Sequence, residues 1–306
     1  MSFSLNLGLM KDCRSFFKSL ELFLLKKMAG VFPDRIYLKC LYRIHLGRRL
    51  DLDHPLFFTE KLQWLKLYYH RPECTEMVDK YAAKFKVERL VGSEFVIPTL
   101  GVWSSADDID FASLPDRFVL KCTHDSGGVV ICKDKAALDE CAVRDRLDRC
   151  LKRDYYVRTR EWPYRNVPRR IIAEPYLEDE SGELTDYKFM CFDGVPKVMF
   201  VAANRSSHKT FDYYDMDFRP LPIESRYGAR TGKLMAKPDA FDEMKRIASV
   251  LSAGFPHVRV DLYCVENHVY WGELTFFDSN GLDDMKSLEW DRRLGEWLHL
   301  PDSKIE

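Results

Sequence analysis

The sequence lacks the features that mark membrane proteins, disulfide scaffolds and nucleic-acid-binding proteins. The uncharged run near the amino terminus is far shorter than the roughly 20 apolar residues that span a bilayer, and without a small-residue cleavage site it is no signal peptide. Nine cysteines are scattered without CxxC pairs or zinc spacing, which fits reduced thiols in a cytoplasm. A net charge of −1 gives no argument for nucleic acid. With 46% hydrophobic residues, the 306-residue chain can bury a sizeable core.

An amphipathic helix is predicted near the amino terminus. Its apolar face comprises Phe16, Phe17, Leu20, Phe23, Leu24 and Met28, surrounded by basic residues. It either packs on a soluble domain or rests on a membrane surface, and we favour packing because amphipathic helices are ordinary in soluble folds. A second helix is predicted from about Asp34 to Leu46, and more helices follow between residues 55 and 92.

Residues 259 to 281 are predicted to form two short strands joined by a turn. Arg259 and Asp261 lie two residues apart and point to the same face, and Glu273 on the returning strand can face them. Two carboxylates beside an arginine are costly to bury without partners. They form either a site for Mg²⁺ that also holds nucleotide phosphates or a structural ion pair, and the hairpin alone favours neither.

Short strands are predicted from Phe95 onward, and Lys121 ends one of them, where a lysine is unusual. The turn at residues 126–128 follows, and its backbone N–H groups can approach phosphates closely. It is not a Walker A loop. On these residues alone an ordinary hairpin, with Lys121 reaching water, is slightly favoured. Lys80 and Lys84 lie four apart on a predicted helix and, taken alone, are best interpreted as solvated.

Residues 144–170 hold ten Lys and Arg against four Asp and Glu, with four aromatic side chains interleaved. The first part, to about Lys152, is predicted to be a helix and the rest a loop. Such a patch can bind an anionic polysaccharide, but most charge runs are solvated faces, and we favour that interpretation.

The order of these features resembles the ATP-grasp superfamily. Five segments more narrowly resemble the TupA-like ATP-grasp proteins of teichuronopeptide biosynthesis: PLFFTEKLQWLKLYY, VDKYAAK, LPDRFVLKCTHDSGG, DYKFMCFDG and VYWGELTFF. The resemblance runs from about Pro55 to Gly281. It implies an α+β protein in which two α+β lobes clasp ATP beneath a hairpin lid, with a helical amino-terminal region. The expected division is 1–78 for that region, 79–175 for the central lobe with the glycine lid and 176–306 for the carboxyl-terminal lobe with the metal site.

The resemblance also implies roles for individual residues. Lys121 and Lys84, less so Lys80, would contact the phosphates, and Arg259 would steady the transferred phosphoryl group. The other implied ATP-binding residues are Ser126, Gly127 and Gly128 in the lid, Glu174, Pro175 and Tyr176 at the adenine, Asp186 at the ribose, and Lys188.

Mg²⁺ is the implied metal, held by Asp261 and Glu273. This sequence departs from the family's usual Glu-x-Asn metal pair, because Thr275 stands where the asparagine is expected. Asn280 or Asp278 are possible substitutes. His124, Arg205, Ser279 and Asn280 would border the site, as holders of the acceptor or activators of the amine.

The resemblance implies an ATP-dependent carboxylate–amine ligase of surface-polysaccharide assembly, at work in the cytoplasm or at the inner face of the membrane. Its partners would be ATP, a carboxylate-bearing sugar or amino-acid acceptor and an amine donor. A rival hypothesis is a glycosyltransferase that uses Asp215-Met-Asp217 as a DxD metal motif. A third is a catalytically dead polysaccharide-binding scaffold, against which Lys121, Asp261 and Glu273 argue.

Overall fold

A computed structural model describes residues 17–180, 182–203, 209–232 and 234–305. Within these ranges, two antiparallel sheets carry helices on their faces. The helices are α1 (17–27), α2 (Asp34–Leu46), α3 (Phe58–Tyr68), α4 (Glu73–Val78), α5 (Ala82–Val91), α6 (Glu140–Leu151), α7 (Tyr155–Thr159), α8 (Phe241–Ser252) and α9 (Leu288–Trp297). No helix in the described ranges is both long and apolar enough to span a membrane.

The smaller sheet has the strand order β1-β4-β2-β3. Its strands are β1 (Gly101–Trp103), β2 (Phe118–Cys122), β3 (Val129–Cys132) and β4 (Ile171–Pro175). Leu120 and Ala173 bury against Val143 and Leu147 of α6, which gives this sheet its own core. The turn at residues 126–128, called the glycine turn below, lies between β2 and β3.

The larger sheet has the strand order β7-β6-β5-β8-β9. Its strands are β5 (Asp186–Phe192), β6 (Val195–Ala203), β7 (Thr210–Tyr214), β8 (His257–Val265) and β9 (His268–Thr275). The predicted hairpin is confirmed: Glu266 and Asn267 join β8 to β9 with φ of 49° and 64°, the left-handed conformations that a tight two-residue hairpin turn requires. The central strand β5 is buried along its whole length.

Helix α8 covers one face of the larger sheet with the side chains that its 3.6-residue period predicts. Phe241, Met244 and Ile247 are fully buried, and Leu251 is nearly so. Helices α3, α4 and α5 contribute to the same core. The division of the chain at residues 78 and 175 stays a prediction.

The predicted orientation of α1 is wrong. Leu25 and Ala29 pack into a core with α2, whereas the residues predicted to pack are exposed: Phe17, Leu20, Phe23, Leu24 and Met28. Phe16 lies outside the described residues. The error has a physical cause, because apolar residues occur all around α1 and periodicity alone does not choose which side meets a partner.

The loop predicted after Lys152 is partly helical. Asp154 accepts a hydrogen bond from the backbone N–H of Val157 at 2.9 Å and so caps helix α7. A 3₁₀ turn follows over Trp162–Asn166. The cap signal was present in the sequence, but the basic charge of the segment obscured it.

Helix α3 fixes the segment that follows β9 through hydrogen bonds. Gln63 Nε2 donates to the carbonyl oxygens of Asn280 and Gly281 at 3.0 and 2.9 Å. On another side α3 meets α9, where a Cβ at Gly295 would lie 2.2 Å from the carbonyl oxygen of Leu56. Glycine at 295 is therefore required by close approach of backbones.

Gly295→Ala should destabilise the protein even though alanine has the higher helix propensity. The clash is with backbone, which cannot swing aside, so we expect a loss of about 2 kcal/mol in the free energy of unfolding, measured by urea denaturation. Glu296→Ala, on the exposed face of the same helix, is the matched control and should change little. Equal stabilities for the two variants would contradict this packing.

Candidate active site

The hairpin of β8 and β9 places charged side chains on one face of the larger sheet. Asp261 lies opposite Glu273 and Arg259 opposite Thr275 in the register of the two strands. On the other side of β8, Lys188 of β5 is the cross-strand partner of Asp261. Directly opposed residues point to the same face, so the five side chains form one continuous patch.

Arg259 fixes Asp261 through two parallel hydrogen bonds. Its Nε and Nη2 each lie 2.7 Å from an oxygen of Asp261, and Nη2 also lies 3.2 Å from Glu273 Oε1 and 3.1 Å from Thr275 Oγ1. Nη1 contacts the carboxylate of Asp278. Burial disfavours the charged guanidinium, but Asp261 and Asp278 outweigh it and raise the pKa of Arg259 well above its usual value.

Lys188 closes this network from β5. Its Nζ lies 2.6 Å from Asp186 Oδ2 and also contacts Asp261. Burial is the largest influence and lowers the pKa of Lys188, while the charge of Asp261 opposes it. Asp261 is 0% exposed, so its charge is balanced by direct contact with two cations rather than by water.

Glu273 is the accessible carboxylate of the patch, with 37% of its side chain exposed. Burial acts to raise the pKa of Glu273, but the charges of Lys80, Lys188 and Arg259 outweigh it and lower the pKa to about 2. Glu273 is therefore ionised throughout the physiological range.

Glu174 forms a second charged cluster, on the smaller sheet. Its two oxygens lie 2.5 Å from Lys84 Nζ of α5 and 2.5 Å from Lys121 Nζ of β2. Lys84 also donates to the carbonyl oxygen of Ile97 at 2.7 Å. Burial opposes ionisation of Glu174, but the charges of Lys121 and Lys84 lower its pKa below the ordinary value. The two lysines that the sequence placed on separate elements thus meet on one carboxylate.

The glycine turn is tied down at its base and open at its tip. Lys80 Nζ donates to the carbonyl oxygen of Asp125 at 2.6 Å, and Asp125 Oδ1 accepts from the N–H of Gly128 at 3.2 Å. Gly127 has a φ of 106°, and a Cβ there would meet nothing within 4 Å. The open space at Gly127 lets a ligand approach the backbone closely, and the N–H groups of Ser126 and Gly127, unlike that of Gly128, donate no hydrogen bond among the described residues.

A cavity of about 1110 Å³ lies between the two sheets. Most sequence-predicted site residues line it: Lys121, Ser126, Gly127, Glu174, Pro175, Tyr176, Asp186, Lys188, Arg259, Glu273, Thr275, Ser279 and Asn280. Lys84, Gly128 and Asp261 lie behind the lining residues. The buried His124 does not reach the wall, and Arg205 lies outside the described residues.

Sequence reasoning missed the wall that α7 and the following turn contribute. Tyr155, Glu161 and Tyr164 line the cavity, and Lys66 of α3 lies behind Asn280, with Nζ 2.9 Å from its carbonyl oxygen. The available signal was the interleaving of aromatic residues through the basic segment, which is unusual for a merely solvated face.

The acidic residues fit a magnesium ion only with help from a ligand. Within the described residues, no three His, Cys, Asp or Glu side chains are grouped as a metal site. Mg²⁺ is commonly held by one or two carboxylates together with substrate phosphates and water. Glu273 faces the cavity and can supply one carboxylate, whereas Asp261 would have to exchange contacts with Arg259 and Lys188 for the ion. Asn280 is a poor second ligand because its Oδ1 meets the ammonium of Lys66, and Asp278 is paired with Arg259.

The Asp215-Met-Asp217 motif forms a local turn. Asp215 Oδ1 accepts from the N–H groups of Asp217 and Arg219 at 2.9 and 2.8 Å, and Arg219 Nη2 lies 3.1 Å from Asp217 Oδ2. Neither carboxylate lines the cavity. This is the ordinary role of aspartate in turns.

Residues 60–299, well over half of the chain, match the family described as TupA-like ATP-grasp. The chain belongs to this family. Membership confirms the predicted ATP-grasp fold and the prediction of an ATP-dependent ligase. No curated protein sequence matches this TupA-like protein.

Solved structures similar to this TupA-like protein include three ATP-grasp or ligase structures. D-alanine–D-alanine ligase from Helicobacter pylori is 14% identical, with coverage of 81% of this chain and 68% of that one and a TM-score of 0.43. A RimK domain ATP-grasp protein from Sphaerobacter thermophilus is 13% identical, with coverage of 74% of this chain and 69% of that one and a TM-score of 0.40. The D-cycloserine synthetase DcsG is 19% identical, with coverage of 74% of this chain and 71% of that one and a TM-score of 0.38. All three TM-scores lie below 0.5, so the family assignment rests on the sequence match.

Glu174→Gln should destabilise the TupA-like protein in a pH-dependent way. It leaves two cations close together without their carboxylate, and we expect a loss of about 3 kcal/mol near pH 7 by urea denaturation. Because the folded-state pKa of Glu174 lies below its ordinary 4.5, the wild-type advantage should be present above pH 4.5 and shrink as the pH falls further. Glu178→Gln, at the half-exposed pair with Arg117, is the matched control and should have little effect; a pH-independent difference would argue against this origin.

Proposed function

We propose that this ATP-grasp enzyme is a carboxylate–amine ligase that forms an amide through an acylphosphate. The observation that carries the proposal is the pair of charged clusters facing one cavity. Lys121 and Glu174 lie on the smaller sheet, and Arg259, Lys188 and Glu273 on the larger one. A cavity with cations on opposite walls suits a polyanionic nucleotide and a phosphoryl group in transfer.

ATP would span the two sheets. Lys84 and Lys121 would turn from Glu174 toward the phosphates, and the tip at residues 126–128 would close over them. The backbone at residues 175–176 would meet the adenine beside Glu174, and Asp186 would meet the ribose hydroxyls. This placement of ATP is supported by the position of Lys121, Asp186 and residues 126–127 and 175–176 along the wall of one cavity.

Mg²⁺ would be held by Glu273 and Asp261 together with nucleotide phosphates. When bound, it would neutralise phosphate charge and orient the phosphoryl group for in-line transfer. Arg259 would stabilise the charge that develops on the transferred group, since its fixed hydrogen bonds leave little to reorganise during the reaction.

The reaction follows from the chemistry of carboxylates. A carboxylate oxygen is a poor leaving group, so transfer of the γ-phosphoryl group from ATP first gives an acylphosphate and ADP. An amine then attacks the acyl carbon and releases phosphate. The enzyme needs to supply position and charge stabilisation rather than a covalent intermediate.

The substrates we propose are a uronic-acid or amino-acid carboxylate of a surface polysaccharide and an amino acid or related amine. This choice rests on the resemblance to proteins of teichuronopeptide biosynthesis. Ser279 and Asn280, which line the cavity beyond Glu273, are the proposed acceptor contacts; both adopt positive φ, 49° and 58°, which turns this segment sharply at the end of β9.

Thermal denaturation separates the ligase from the glycosyltransferase. Mg²⁺ with ATP or ADP should raise the melting temperature, because a ligand at a hundredfold excess over its Kd adds about 2.7 kcal/mol of stability. Glu273→Gln should abolish most of the Mg²⁺-dependent part. The matched pair Asp215→Asn and Asp217→Asn should respond like wild type.

The decisive assay is phosphate release from ATP in the presence of D-glucuronate, D-galacturonate or L-glutamate with an amino acid. Release should require both a carboxylate and an amine. Stabilisation by UDP and UDP-sugars only, lost in the Asp215 and Asp217 variants, would instead establish the transferase.

The exposed face of α1 supports a second, independent proposal: contact with an anionic membrane surface. Large apolar side chains are concentrated there, including Phe17, Phe23 and Leu24 at 61%, 54% and 49% exposure. The exposed Lys26 and Lys27 adjoin them. Apolar side chains beside lysines match the acyl and phosphate layers of an anionic bilayer.

Sedimentation with phosphatidylglycerol vesicles tests this surface. Wild type should co-sediment in low salt and release as salt rises, because lysine attraction is screened. A Phe23→Ser, Leu24→Ser double variant should stay in solution, whereas Leu234→Ser, equally apolar and exposed elsewhere on the surface, should behave like wild type. Co-sedimentation of the double variant would refute the proposal.

A further inference from the structure

Glu161 is a buried carboxylate in the cavity wall to which the proposed reaction has so far given no role. It directly follows the αL residue that ends α7, is 3% exposed and lines the cavity. Its backbone N–H donates to Thr159 Oγ1 at 3.2 Å, which fixes its position. No cation of the described residues is in direct contact with Glu161, and Lys66 and Arg259 act on it only from farther away. A buried carboxylate without a cation in direct contact is costly unless a ligand supplies one.

Two tyrosines stand beside Glu161 in the same wall. The ring centroids of Tyr155 and Tyr164 are 4.7 Å apart, with an angle of 59° between the planes. Tyr155 lies close enough to Glu161 to lower its pKa slightly. Burial, followed by the neighbouring negative charges, raises the pKa of both phenols well above the usual value, so both stay neutral. Aromatic faces next to a carboxylate attract a cationic ammonium group.

This wall adjoins the position proposed for the transferred phosphoryl group. The charge of Glu273 acts on both tyrosines, and the charge of Arg259 acts on Glu161. A small cation held at Glu161 would therefore stand next to the residues that hold the phosphates. An amine must occupy such a place to reach an acylphosphate.

We infer that Glu161, Tyr155 and Tyr164 form the subsite for the amine substrate, and that Glu161 takes the proton that an ammonium group must lose before it attacks. The inference rests on the proposed ligase function and deepens it. It assigns the amine a recognition site and gives the reaction a general base.

The environment of Glu161 suits a base that works at neutral pH. Burial raises the pKa of Glu161 to about 7, which Lys66 and Arg259 oppose and Asp278 reinforces. Burial in turn lowers the pKa of Lys66 to about 7; its Nζ lies 3.1 Å from the carbonyl oxygen of Thr159. The charged and titratable groups that face Glu161 are thus Lys66 from α3, Arg259 from β8, Asp278 after β9, and the two tyrosines. A base with a pKa near the working pH is the most effective.

The step balances without another reactant. The amine enters as an ammonium ion and gives one proton to the Glu161 carboxylate, which frees the nitrogen lone pair. The nitrogen attacks the acyl carbon, the C–N bond forms, and the C–O bond to the phosphoryl group breaks as phosphate leaves with the electron pair. The second proton lost by nitrogen goes to the departing phosphate.

Amine binding is measured first, by calorimetry on the full chain with Mg²⁺ and a non-hydrolysable ATP analogue. The probes are glycine, L-alanine, L-glutamate, L-lysine and ethanolamine. Wild type should bind at least one of them, and Glu161→Gln should weaken that binding at least tenfold. Glu289→Gln, the same change at an exposed position of α9, should match wild type. No amine binding by wild type, or equal binding by Glu161→Gln, overturns the inference.

Tyr164 provides a variant that keeps the carboxylate. Tyr164→Phe retains the aromatic face and should bind the probe within about threefold of wild type. Tyr164→Leu removes the face and should bind more weakly than Tyr164→Phe. Equal binding by the two variants would remove the tyrosine from the subsite, even if Glu161→Gln folded poorly.

Kinetics distinguish proton transfer from binding. With the acceptor that best supports phosphate release, Glu161→Gln should lower amide formation by about 10²-fold and abolish the rise of kcat/KM with pH toward neutrality. Hydroxylamine, which is uncharged at neutral pH, needs no base, so hydroxamate formation should stay within about threefold of wild type. An unchanged pH profile in Glu161→Gln rejects the base. Absence of any phosphate release by wild type is a different result and rejects the ligase itself, while the calorimetry still decides whether Glu161 binds amines.

Discussion

The buried contact between Arg259 and Asp261 is the interaction on which the functional face depends. Two charges in the interior are tolerated only when each is paired and hydrogen-bonded, and here the guanidinium reaches Asp278 while Lys188 meets Asp261 from β5. Replacing one of these side chains by a neutral one would leave its partner as a buried charge without a counterion. The network therefore fixes β5, β8 and the end of β9 relative to one another, as a site for phosphoryl transfer requires.

The smaller sheet solves the same electrostatic problem with a different set of groups. Glu174 lies between Lys84 and Lys121, so the two lysine side chains can lie close together without an anionic ligand. Carboxylates thus hold cations in place on both walls of the cavity. On the larger sheet a bound polyphosphate would meet groups already positioned, which reduces the reorganisation needed during reaction, whereas Lys84 and Lys121 would first exchange Glu174 for the phosphates.

The hairpin was predictable because its information is local. Alternation in β8 places Arg259 and Asp261 on one face, and the turn at residues 266–267 brings Glu273 opposite Asp261. The orientation of α1 was not predictable, because the helix carries apolar side chains on all sides. Only its neighbours in the fold decide that Leu25 is buried and Phe23 exposed. The same holds for Glu161: in the sequence it is one acid in a basic segment, and only the fold buries it in the cavity wall.

The sequence by itself determined the antiparallel hairpins, the family and many of the charged residues in the cavity wall, because strand alternation, turn chemistry and motif content can be read along the chain. Only the tertiary structure decided which charges meet. Lys84, Lys121 and Glu174 come from α5, β2 and β4, and Lys66 and Asn280 are brought together from opposite ends of the chain. The physical reason is that burial and Coulomb interaction depend on distance in space, which separation along the chain does not specify.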